Sequence, residues 1–119
     1  MTQNEKIKLI VKALDSKKAE GIQAIKISDL TILADYFIIA GGTSNTHTKT
    51  LAEEVEYQLS QNGVEPYKTE GYNGSGWIIL DYSDVVVHVF YKEMRDYYQL
   101  ERLWADGEKV DLEEYITEE

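Results

Sequence analysis

Gly41, Gly42 and Ser44 follow an apolar run and precede a helical pattern, a setting in which small residues let backbone N–H groups and a helix N-terminus approach a phosphate. The same residues also make an ordinary capped turn. Nucleotidyl transfer would require carboxylates converging on two metal ions about 4 Å apart, usually two acids alternating on one strand and a third on a neighbour. Asp81 and Asp84 flank a turn instead, and the following strand offers His88 among valines. His47 falls in the first turn of a helix, where a neutral imidazole can bond the preceding loop; His88 falls mid-strand with its side chain opposite Val87 and Val89. No cysteine and no third ligand at a motif spacing accompany the two histidines, so no metal site is expected. Ser44, Ser75 and Ser83 lack a nucleophile-elbow context. The expectation is a chain with no catalytic residues, no cofactor and no metal, and not an enzyme.

The elements that hold these residues alternate between helix and strand. Thr2 and Glu5 have capping-box spacing, and Ile7, Ile10, Val11 and Leu14 mark one face of a first helix ending near Gly21. Its five lysines give the first 18 residues a charge of +3, a solvated face. Strands are expected over residues 22–27 and 36–40, the second a continuous apolar run of the kind buried on both sides. Thr43, Ser44 and Asn45 are N-cap candidates for a second helix, with Leu51, Ala52, Val55 and Leu59 as its stripe and Asn62 and Gly63 as its end. A short edge strand after Pro66, the glycine-rich stretch 71–76, and strands 77–81 and 85–90 joined at Tyr82, Ser83 and Asp84 form an antiparallel hairpin region. A final helix starts near Lys92. The expected fold is α/β, a mixed sheet of about five strands with helices mainly on one face.

A chain of 119 residues buries about two thirds of its unfolded surface and folds as one domain without a disulfide or metal. The boundaries expected are a single α/β domain over 1–105 and an acidic C-terminal tail over 106–119. That tail carries seven acids against one Lys, which leaves −4 of the total −10 for the rest. Absence of cysteine agrees with a reducing compartment, and no apolar run approaches the roughly 20 residues of a membrane span. With an amphipathic pattern starting close to Met1 there is no room for a targeting peptide, and the expected location is the cytoplasm. So acidic a chain gains nothing from counterion release at phosphates, so little direct nucleic-acid binding is expected, and a basic protein partner suits it better.

Seven aromatic residues, Trp77, Tyr82, Phe90, Tyr91, Tyr97, Tyr98 and Trp104, fall between positions 77 and 104, the composition that protein-binding surfaces favour. Strand periodicity assigns sides. Val85, Val87 and Val89 share one face with Ile78 and Leu80, an aliphatic set for the helices to cover. Val86, His88 and Phe90 share the other with Trp77, Ile79 and Asp81, a mixture costly in a dry core and ordinary at an interface. The candidate partner-binding set is therefore Trp77, Ile79, Asp81, His88 and Phe90, bordered by Tyr98, Arg102 and Trp104.

Three blocks, DYFIIAGGTSNTHTKTLAEEV at 35–55, EGYNGSGWIILDYSDVVVHVF at 70–90 and YYQLERLWADG at 97–107, resemble the ribosomal silencing factor family, also called RsfS or Iojap-like proteins. The likeness is strongest at Asp35, Tyr36, Phe37, Ser44, Asn45, Gly76, Trp77, Asp81, Tyr82, Asp84, His88, Phe90, Tyr98, Leu100, Glu101 and Trp104. It departs at Gly41, where Thr is expected, and at Ser83, where Gly is usual. The resemblance implies a nucleotidyltransferase-like α/β fold and a partner on the large ribosomal subunit, a ribosomal protein at the face that meets the small subunit. It also implies a block on subunit joining that represses translation under nutrient limitation. Two alternatives remain at this stage: a nucleotide-binding or nucleotidyltransferase-type enzyme, and a self-associating adaptor that pairs as a homodimer.

Overall fold

Thr2 opens the first helix, α1 (Gln3–Ser16), with a complete capping box: its hydroxyl accepts from the Glu5 N–H while the Glu5 carboxylate accepts from the Thr2 N–H. The computed structural model describes residues 1–74 and 76–115, without the side chains of Tyr97, Tyr98, Glu101, Leu103 and Glu114. Next come β1 (Glu20–Lys26), β2 (Tyr36–Gly42) and α2 (Asn45–Gln61). Of the three N-cap candidates it is Ser44 that caps α2, its hydroxyl accepting from the His47 N–H at 3.0 Å. The remaining elements are β3 (Lys68–Glu70), β4 (Trp77–Asp81), β5 (Val85–Tyr91), α3 (Lys92–Tyr98), α4 (Leu100–Leu103) and β6 (Glu108–Lys109).

The strands form one mixed sheet in the order β3-β4-β5-β2-β1-β6, in which only the β2–β5 pair is parallel. Central position explains the unbroken apolar run of β2: every residue after Tyr36 is buried. The aliphatic face pairs Ile78 with Val89 and Leu80 with Val87, and packs beneath Ile10, Leu14, Leu51 and Val55 of α1 and α2. The sheet is thus an α/β layer pair with its main helices on one side, as the periodicity predicts.

Three departures from the sequence expectations have physical causes. A sixth strand exists because β1 has an open edge: Ile25 and Lys26 pair with Lys109 and Glu108, and the Val110 N–H then donates to the Ala24 carbonyl at 2.8 Å. Leu112, only 7% exposed, enters the aliphatic core beyond it. The first ten residues of the expected acidic tail therefore belong to the fold, while 116–119 lie outside the described residues. The final helix is broken at Gln99, whose φ of 48° is left-handed, into α3 and α4. Ser83 also takes a left-handed φ, 73°, which accounts for the usual Gly in this turn. Gly41, where Thr is expected, would place a β-carbon 3.4 Å from the Arg95 guanidinium. That guanidinium donates to the carbonyls of Glu20 and Gly21 at 3.1 and 2.7 Å and ties α3 to the irregular start of β1.

Candidate protein-interaction face

On the second face of the sheet Trp77, Ile79 and Asp81 of β4 lie across from Phe90, His88 and Val86 of β5. This face is not left bare. Leu100 and Trp104, brought back by the break at Gln99, pack with Phe37, Ile39, Ile25 and Ala34 into a second, smaller core. Phe90 is fully buried and His88 only 5% exposed, so neither offers a surface for a partner to touch, which corrects the expectation of an open face there. Trp77, Ile79, Asp81 and Trp104 remain partly exposed at its border.

His88 and Phe90 act on that border from below. The Trp77 Nε1–H donates to His88 Nδ1 at 3.1 Å, and the indole stacks on Phe90 with centroids 4.9 Å apart and planes 24° apart. Phe37 meets the imidazole edge-on at 4.6 Å and Trp104 at 5.4 Å. A polar histidine is accommodated in an aromatic core because one nitrogen has a donor; the other, Nε2, has no partner among the described residues. Gly71, at φ 91°, is required at the root of Trp77, since a side chain there would collide with the Trp77 carbonyl.

Burial holds the His88 pKa down to about 4. Above the unfolded-state value near 6.5 both states are neutral; as pH falls below it the unfolded chain takes up a proton that the folded chain refuses, so stability declines until about pH 4. The full loss is about 3 kcal/mol. Because His88→Gln lacks this loss, the stability advantage of the wild type over the variant should shrink by about that much between pH 7 and pH 4 in urea titrations.

The other candidates fall apart in space. Arg102 is exposed and donates to the Gln99 side chain at 2.9 Å, in a shallow cleft with Gln23, Asp96 and Lys109 on the β1–β6 side of the sheet, away from Trp77. The Tyr98 side chain lies outside the described residues. Asp81 accepts from the Ser83 N–H at 2.8 Å within the turn, and Asp84 accepts from Lys6 at 2.9 Å and from Gln3, which ties the turn to α1. His47 is likewise occupied: Nδ1 accepts from the Thr43 N–H and Nε2 donates to the Lys17 carbonyl. Among the described residues no cluster of three or more His, Cys, Asp or Glu is placed to hold a metal, and no helix is long and apolar enough to cross a membrane. Phe37, absent from the candidate set above, joins this face through the parallel register that sets it opposite Val86, a pairing that no local pattern encodes. It also missed the exposed apolar loop residues Leu30, Ile32 and Leu33.

Fold and face together give an α/β domain with partly exposed Trp77 and Trp104 at the border of the second core. The chain belongs to the ribosomal silencing factor family: the family model described as ribosomal silencing factor during starvation matches residues 1–119. It is 40% identical over 113 residues to the ribosomal silencing factor RsfS of Bacillus subtilis, covering 95% of this chain and 96% of that one. The crystal structure of a Chromobacterium violaceum protein superposes with a TM-score of 0.86 at 39% identity, over 93% of this chain and 92% of that one. A more distant relative, the mouse protein named mitochondrial assembly of ribosomal large subunit protein 1, is 31% identical over 102 residues, 83% of this chain and 45% of its own length.

Proposed function

We propose that this chain works in the cytoplasm as a non-enzymatic factor that binds a basic ribosomal protein on the joining face of the large ribosomal subunit. Occupying that face excludes the small subunit, and translation is repressed when nutrients are limiting. The single observation that carries the reading is Trp77, a partly exposed indole fixed at the edge of the fold by its stack on Phe90 and its bond to His88. An aromatic anchor fixed before binding loses little freedom on docking, which is what an interaction hot spot requires. Family membership supplies the ribosome, and the mouse relative's name supports the large subunit. Ile79, Asp81 and Trp104 complete the border of the site, and Tyr98 is a further candidate. The same face would pair copies of the free chain as a homodimer.

A net charge of −10 favours a basic partner and adds long-range attraction. Binding should therefore weaken from 0.1 M to 1 M salt, as the Debye length contracts from about 10 Å to about 3 Å. Titration at the two salt concentrations checks this, and salt-independent affinity would make the charge incidental. The function itself is tested by light scattering: the chain should lower the rise in scattering when small subunits are mixed with large ones, and an unchanged rise would refute the proposal.

A further inference from the structure

Leu30, Ile32 and Leu33 lie within four residues of one another in the β1–β2 loop, and all three are exposed: Leu30 by 46%, Leu33 by 73% and Ile32 completely. The other exposed large apolar residues among those described, Met1, Tyr57 and Tyr67, are scattered, which is ordinary for a soluble surface. A cluster is different. This one is also held in place. The N–H groups of Leu30 and Thr31 both donate to the Ile27 carbonyl at 2.8 and 3.1 Å, and the Leu33 N–H donates to the Thr31 hydroxyl. At the base of the loop the Ile27 N–H donates to the Asp35 carbonyl and the Asp35 N–H to the Asp84 carbonyl, each at 2.8 Å. The loop is thus a braced knuckle with its apolar side chains outward.

Its position links it to the face already described. Ile27 and Ala34, at the two ends of the loop, are buried in the second core, against which Trp77, Ile79 and Trp104 also pack. Its charge is one-sided: exposed Asp29 and partly exposed Asp35 sit in the loop, and among the described residues no cation pairs with either, Asp35 accepting instead from the neutral Gln3 amide.

We infer that this knuckle is a second docking point for the same protein partner, entering an apolar socket whose rim is basic. The inference rests on the ribosomal reading above. Trp77 and the knuckle then grip the partner at two places, and Asp29 and Asp35, in the knuckle itself, meet the rim with opposite charge.

The test measures binding of the full chain to purified large ribosomal subunits for the wild type, Ile32→Ser/Leu33→Ser, Ile32→Lys and Ile32→Glu, with melting and sedimentation velocity of each free chain. All four should melt alike, because the altered side chains are exposed. The double variant should bind about tenfold or more weakly. Ile32→Lys should bind more weakly than Ile32→Glu, with the gap closing as salt is raised. Wild-type affinity in the double variant would overturn the inference and leave the ribosomal function standing. So would equal affinities of the Lys and Glu variants at low salt, which would remove the basic rim. A dimer that becomes a monomer in the double variant, with subunit binding unchanged, would assign the knuckle to a second copy of the chain instead. Failure of the wild type itself to bind would reject the ribosomal reading and this inference together.

Discussion

Trp77→Ala is expected to remain folded and to lose the block on subunit joining. A central aromatic anchor cut to Ala typically costs at least 2 kcal/mol of binding, about a thirtyfold loss of affinity. The same cut also removes the stack on Phe90 and leaves His88 Nδ1 without its donor, so stability should fall as well. For a partly exposed ring that loss should stay under the roughly 3–5 kcal/mol of a fully buried one, within the 5–15 kcal/mol of an ordinary domain. Trp77→Phe separates the two effects: it keeps an aromatic stack while removing the N–H. Circular dichroism should show both variants native at room temperature, and light scattering should show joining restored by the Ala variant. A native Trp77→Ala chain that blocks joining as well as the wild type would remove Trp77 from the interface.

Leu80→Ala, on the opposite face of the same strand, should show the reverse pattern. Leu80 is fully buried, paired across from Val87 beneath the helices, and its removal leaves a cavity costing about 2–5 kcal/mol. The melting temperature should drop by roughly 10–20 °C. Affinity per folded molecule should be unchanged. If Leu80→Ala loses binding at intact stability while Trp77→Ala unfolds, the two faces of β4 are assigned the wrong way round.

Much of this geometry is legible in the sequence because it is local. Alternation along β4 and β5 separates Ile78, Leu80 and the three valines from Trp77, His88 and Phe90, and the structure keeps those sides. The capping box at Thr2 and the Ser44 cap are set by residues three apart. What was not legible depends on the tertiary fold. Nothing near Gln99 announces a left-handed residue, yet that one dihedral turns Leu100 and Trp104 onto the sheet and buries His88 and Phe90. The mixed polarity of that face suggested exposure; a bond between two side chains eleven residues apart, Trp77 to His88, resolves it differently. Glu108 and Lys109 carry no strand pattern, and they pair because β1 offers an unfilled edge. For the candidate site the consequence is a division of roles: Trp77, Ile79, Asp81 and Trp104 at the surface, His88 and Phe90 beneath them, and Arg102 elsewhere.

The most direct measurement is co-sedimentation of the chain with purified large and small ribosomal subunits, run separately at low salt. The account predicts that the chain pellets with the large subunit and stays in the supernatant with the small one. Equal pelleting with both, or with neither, would contradict it.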